Sequence, residues 1–303
     1  MKNEMNKTKC QIITIIGEPN AGKSTLVNRL VGSKISIVSN KVQTTRNAIK
    51  GITVIGNTQL IFIDTPGIFN AKHNLEKAIN HEALSQLDSG DTALIMIDSS
   101  RDNFTKTEEI ASSLKESKQR VALVINKIDL LKNKNKLLQL AERFHKSGVF
   151  DEIFMISSRD GEGVKDLENY LVETATPSEF LYPEDQMSDM PVRFMASELT
   201  REKLFENVHD ELPYNLFVET EGWVETDDKI VINQVINVMK EGQKAIVIGK
   251  GAEMIKKIGT EVRLELQDMF EKKINLFLHA KVKKDWLDKP FVFQSLGLKF
   301  PKK

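Results

Sequence analysis

Cys10 is the only cysteine in 303 residues, which excludes an intrachain disulfide and any cysteine-based zinc site. Such usage fits a reducing compartment. Long apolar runs are missing as well. The stretch Ile12-Ile13-Thr14-Ile15-Ile16 falls far short of the roughly 18 residues of a membrane span and lacks the cleavage flank of a signal peptide. Aromatics are scarce at 7%, yet 40% hydrophobic and 28% charged residues are ordinary for a folded globular protein and exclude a disordered one. Net charge is also absent, with 43 basic and 43 acidic side chains, but the balance is local. Residues 181–239 carry 4 basic against 13 acidic side chains, and residues 240–303 carry 15 against 8, so the C-terminal end favours polyanions.

The length implies about two domains. Between residues 11 and 175, short apolar runs at 12–16, 48–54, 60–63, 93–97, 121–125 and 153–156 alternate with amphipathic stretches after Gly22 and around 107–116, 135–146 and 164–173. This is the pattern of an α/β domain with a largely parallel sheet. Residues 176–191, with Pro177, Pro183, Pro191 and several acidic residues, read as a linker. A second, α+β domain is expected over 192–285, with helices at 193–211 and 253–270 and strands at 216–224, 229–238 and 274–282. Residues 1–10 and 286–303 read as tails.

Gly17-Glu18-Pro19-Asn20-Ala21-Gly22-Lys23-Ser24, followed by Thr25, fits a phosphate-binding loop between a strand and a helix. In such a loop backbone N–H groups and the helix N-terminus face the phosphates, Lys23 supplies a point charge, and the Ser24 hydroxyl ligates Mg2+. By itself the loop leaves kinases, ATPases and GTPases open. Asp64-Thr65-Pro66-Gly67 ends an apolar run, placing a carboxylate for the metal shell and the Gly67 N–H near a terminal phosphate. Asn126-Lys127-Ile128-Asp129 follows another strand, and its aspartate suits the N1–H and amino donors of guanine; facing adenine it would be left unpaired. Ser157 and Ser158, after the last strand, are placed to offer backbone N–H to the guanine carbonyl. Within Val42-Gln43-Thr44-Thr45-Arg46-Asn47 a threonine can reach metal and terminal phosphate, Thr45 being favoured over Thr44.

The order of these boxes resembles the translation-factor-related GTPases. Phe194-Met195-Ala196-Ser197-Glu198, Arg201-Glu202-Lys203, Glu211-Leu212-Pro213-Tyr214 and Glu241-Gly242-Gln243-Lys244 narrow the resemblance to the Era family of ribosome-associated GTPases, over about residues 9–298. It implies a doubly wound P-loop NTPase domain followed by a type II KH domain. Ile248-Gly249-Lys250-Gly251-Ala252 with Ile255, Lys256 and Lys257 then forms the RNA-binding turn and helix start, with Ile258 expected to help line an apolar groove for unstacked bases. Ala252 stands where the usual clamp ends in glycine.

What the resemblance implies is a slow GTPase acting in maturation of the small ribosomal subunit, using GTP or GDP and Mg2+ and binding the 3′ end of small-subunit ribosomal RNA. Lys23, Thr45, Gly67 and Asn20 are the expected catalytic group, and Ser24, Thr45 and Asp64 the metal ligands. Ile68 stands where Ras-like GTPases carry a water-orienting glutamine, while Asn20 matches an asparagine that holds a stimulating K+ in related GTPases. The chain is expected to be a cytoplasmic monomer. The basic C-terminal end leaves another reading open, a nucleotide-regulated cell-cycle or peripheral membrane regulator. A nucleotide-binding RNA-binding factor without turnover and a small-molecule phosphoryl transferase are further rivals, opposed respectively by Lys23, Ser24 and Asp64 and by the Asn126–Asp129 loop. His73, His81, His145, His209 and His279 show no metal-ligand spacing.

Overall fold

A computed structural model describes residues 8–39, 45–68, 71, 73–208, 216–284, 286, 289–296 and 298–300. Gln43 and Thr44, and residues 211–214 of the resemblance, lie outside these. The described chain divides into two compact units.

The first unit is built on a seven-stranded sheet of order β2-β3-β1-β4-β5-β6, comprising β1 (Lys9–Gly17), β2 (Ile49–Ile55), β3 (Thr58–Asp64), β4 (Thr92–Asp98), β5 (Arg120–Asn126) and β6 (Glu152–Met155), with β7 (Thr176–Pro177) antiparallel to β1. The remaining pairs are parallel except the β2–β3 hairpin. The near-continuous apolar runs read above are therefore strands covered on both faces, as a parallel sheet requires. The helices are α1 (Lys23–Val31), α2 (Asn74–Ser85), α3 (Thr105–Ser113), α4 (Asn135–His145) and α5 (Val164–Thr174). One core packs Ile95, Ile97, Leu123 and Ile125 of the sheet with Ile110, Leu137, Leu140 and Phe144 of the helices. At the C-terminal ends of β1, β3, β4 and β5 sit the phosphate-loop start, Asp64, Asp98 and Asn126, the edge where open α/β sheets bind ligands.

Residues 176–191 differ from the linker reading. Gln59 Oε1 accepts from the N–H groups of Leu181 and Tyr182, and its Nε2 donates to the Tyr182 carbonyl at 2.8 Å. Ile52 N–H donates to the Met187 carbonyl at 2.8 Å, and Gly51 bridges Ser188. The segment is thus a strap covering edge strand β2, which would otherwise expose unpaired backbone groups. The first element also starts earlier than read, at Lys9.

In the second unit, α6 (Val192–Asn207), β8 (Leu216–Glu225), β9 (Lys229–Val238), α7 (Glu241–Ile248), α8 (Glu253–Phe270) and β10 (Lys273–Val282) follow in turn. The sheet order is β10-β9-β8, with β9 antiparallel to β8 and parallel to β10, the type II arrangement. Helix α6 ends at Asn207, short of the expected 211, and carries a buried Glu198–Arg201 ion pair. The tail reading of 286–303 is corrected: Trp286, Val292, Phe293, Leu296 and Leu298 are buried. Trp286 packs 5.7 Å from Phe217, ring centroid to centroid.

Candidate functional site

The turn from β1 into α1 is held open by backbone geometry that few residues tolerate. Gly22 has φ +99°, and a Cβ there would fall 2.2 Å from the Asn126 amide nitrogen, so only glycine lets the loop meet the base-reading segment. Asn20, at φ +64°, is the non-glycine type that best accepts the left-handed region. Lys23 is buried and donates to the carbonyls of Gly17 and Glu18, both at 3.0 Å, curling the loop around its own ammonium. Burial pulls its pKa down to about 8; Arg101 adds to the fall, while Asp64 and Glu18 oppose it.

Asp64 is fully buried and neither carboxylate oxygen has a hydrogen-bond partner. Burial raises its pKa, although Ser24, Lys23 and Ser36 lie near enough to oppose the rise. The Ser24 and Thr45 hydroxyls are 2.9 Å apart. An orphaned buried carboxylate beside paired hydroxyls is an all-oxygen donor set of the kind Mg2+ takes, so the residues present fit that ion. Thr65 Oγ1 donates to the Ile15 carbonyl at 2.7 Å, and Pro66 is buried. Gly67 passes Pro19 so closely that an added Cβ would lie 2.7 Å from the Pro19 Cα. Ile68 N–H donates to the Gly17 carbonyl at 3.2 Å, while its side chain packs on the core. The structure therefore brings the expected phosphate and metal residues together.

Asn126 Nδ2 donates to the Ala21 carbonyl at 2.7 Å, tying the base-reading segment to the phosphate loop. Lys127, at φ +63°, donates from Nζ to Asp98 Oδ2 at 2.7 Å. Burial alone would raise the Asp98 pKa, but hydrogen bonds from Lys127 and Ser100 hold it below the usual carboxylate range. Asp129 accepts from Ser157 Oγ at 2.8 Å and pairs with Arg159 at 3.0 Å, and Ile128 is buried beneath. The Ser157 and Ser158 N–H groups donate to the Glu162 carbonyl and to Asn126 Oδ1, both at 2.9 Å, while their hydroxyls donate to Asp129 Oδ1 and Asn126 Oδ1. Arg29 of α1 donates from Nε to the Ser158 carbonyl at 2.6 Å. Arg29, Asp98, Arg101 and Arg159 belong to no sequence motif and were not read as site residues; only the fold brings them here.

In the second unit Ile248 closes α7, and Gly249, Gly251 and Ala252 turn with φ of +75°, +60° and +63° before α8. Ala252 is the left-handed N-cap of α8. Lys250, Lys256 and Lys257 are exposed. Beside them a groove of about 480 Å³ runs between α8 and β10, lined by Ile255, Lys256, Arg263, Phe277 and His279 among others. Ile258, expected to line it, is fully buried; its place at the groove is taken by Phe277, which is half exposed. Lys281 pairs with Glu221 at 3.2 Å. Among the described residues no group of three or more histidine, cysteine, aspartate or glutamate side chains is placed to hold a metal ion.

A phosphate loop, a buried carboxylate and the Asn126–Asp129 turn on one sheet edge, with a KH unit following, define a P-loop GTPase joined to a KH domain. The family described as 50S ribosome-binding GTPase matches residues 12–127, and the KH domain family matches 211–287. GTPase Era of Agrobacterium fabrum is 47% identical over 296 residues, covering 97% of this chain and 93% of that one. GTPase Era of Rhizobium meliloti is 46% identical, covering 97% and 94%. A crystal structure of Era in complex with MgGDPNP and nucleotides 1506–1542 of 16S ribosomal RNA is similar with a TM-score of 0.91 at 34% identity, over 96% of this chain and 99% of that one. The chain belongs to the Era family of GTPases.

Proposed function

We propose that this chain binds GTP with Mg2+, hydrolyses it slowly to GDP and phosphate, and binds the single-stranded 3′ end of small-subunit ribosomal RNA during assembly of the small subunit. The likeness to the Era complex holding MgGDPNP and 16S RNA carries this reading. Lys23 neutralises charge on the phosphates, and Ser24, Thr45 and Asp64 would hold Mg2+, which would supply positive charge against the charge developing on the phosphates. Asp129 reads the guanine edge and Asn126 joins base and phosphate loops. Gly67 and Thr45 respond to the terminal phosphate, so hydrolysis alters the segments that carry them and acts as a timer for RNA binding.

Ile68 offers no polar group to orient water, and Asn20 would be the residue to hold a K+ ion, which would supply positive charge beside the phosphates. Equal phosphate release in K+ and Na+ at fixed Mg2+ would remove that role. In the KH unit, Lys250, Lys256 and Lys257 meet the RNA backbone while the Phe277 groove receives splayed bases. The protein acts as a cytoplasmic monomer. Association with a membrane surface is not favoured by the comparisons, and liposome flotation in moderate salt separates it from RNA binding. The defining experiment pairs phosphate release from GTP against ATP with fluorescence anisotropy of a labelled 3′-end RNA; absence of guanine selectivity would overturn the nucleotide half.

A further inference from the structure

The tip of the phosphate loop is a β-turn whose type is chosen from outside the turn. Ala21 N–H donates to the Glu18 carbonyl at 3.3 Å, Pro19 occupies the second position, and Asn20 follows at φ +64°. Proline excludes positive φ at the second position, so this is a type II turn. Types I and II differ by rotation of the central peptide, here Pro19–Asn20, and asparagine at the third position admits either, so a contact to that peptide can decide between them.

Arg101 makes such a contact. One guanidinium nitrogen donates to the Pro19 carbonyl at 2.8 Å, another pairs with Glu18 at 2.5 Å, and Nε lies 3.9 Å from Asp98 Oδ2. Asp98 is itself fixed by Lys127 and Ser100, at 2.7 and 2.9 Å. Because a trans peptide is planar, a carbonyl held towards Arg101 sends the Asn20 N–H the opposite way.

We propose that Arg101 is a positioning residue for nucleotide binding: it selects the type II turn at Glu18–Ala21 and so sets the direction of the Asn20 N–H in the phosphate loop. Loss of the guanidinium lets the peptide rotate to type I, reversing N–H and carbonyl at the loop tip. The inference rests on the nucleotide-binding reading above, and Asn20 separates the two. Glycine at position 20 favours type II by itself, so Asn20→Gly makes the turn independent of Arg101.

The test is GDP affinity by titration calorimetry for the full chain, Arg101→Ala, Asn20→Gly and the double variant. Arg101→Ala is expected to weaken GDP about tenfold on the native background and under about threefold on the Asn20→Gly background. A loss of less than about twofold on the native background, or an equal loss on both, overturns the proposal. Should Arg101→Ala not fold, Arg101→Met, which keeps the aliphatic bulk and removes the hydrogen bonds to both Glu18 and Pro19, gives the same comparison. If the native chain itself showed no preference for GDP over ADP, the nucleotide reading would fail first and for a different reason.

Discussion

Lys23 and Asp64 are buried ionisable side chains of the phosphate-loop site. Without nucleotide, Lys23 loses its proton near pH 8 against 10.5 unfolded, so the two consequences of raising pH run in opposite directions. GDP affinity falls as pH rises above about 8, by up to about tenfold per unit, because the bound state retains a proton that the free state has lost. Stability of the nucleotide-free chain rises between about 8 and 10.5, because there the unfolded chain binds more protons. Calorimetry and urea denaturation at pH 7 and 9 check both signs. For Asp64, whose oxygens are unpartnered, Asp64→Asn is expected to stabilise the nucleotide-free protein by about 1–3 kcal/mol and to abolish the gain in nucleotide affinity on adding Mg2+. At Ala252 the left-handed backbone costs roughly 1 kcal/mol, so Ala252→Gly raises the melting temperature without weakening RNA binding. The phosphate loop and Asn126–Asp129 were legible from sequence because their chemistry sits in contiguous residues. Arg101, Asp98 and Phe277 were not, because each acts on a partner distant in sequence and is an ordinary side chain until the fold supplies that partner.

Among the elements, the parallel strands were readable because burial on both faces leaves uninterrupted apolar runs, and α5 because Val164, Leu167 and Leu171 share one buried face. Helices α2 and α7 were not read. α2 buries only Leu75, Ile79 and Ala83, and α7 only Val247, so neither shows a broad apolar stripe. The strap is the clearest failure of composition. Its prolines and acidic residues do mark a chain without regular structure, yet its backbone is hydrogen-bonded to Gln59 and β2, and backbone pairing leaves no residue-type signature. Gln59 is fully buried and answers three backbone groups of Leu181 and Tyr182. Gln59→Ala is therefore expected to cost about 1–3 kcal/mol and to accelerate proteolysis within 178–189. An unchanged cleavage rate there would show that the strap is held by other means.

For the whole molecule, a zero net charge gathers its basic excess at the KH end, where Lys250, Lys256 and Lys257 stand exposed beside the groove. Each lysine that meets a phosphate contributes about 0.7 to the slope of log affinity against log salt for a single strand. Alanine at Lys250 or Lys256 should lower that slope by this amount while leaving GDP affinity unchanged. Phe277→Ala should instead weaken binding by about 1–3 kcal/mol at every salt concentration, as loss of a stacking platform does. The proposed timer requires each nucleotide state to set a different RNA affinity. The most direct measurement is binding of a short single-stranded RNA matching the small-subunit 3′ end, beside a scrambled RNA of equal length, with a non-hydrolysable GTP analogue and with GDP. Selective binding of the matching strand, tighter with the analogue, is the predicted result. Equal and weak binding of both strands in both nucleotide states would contradict it.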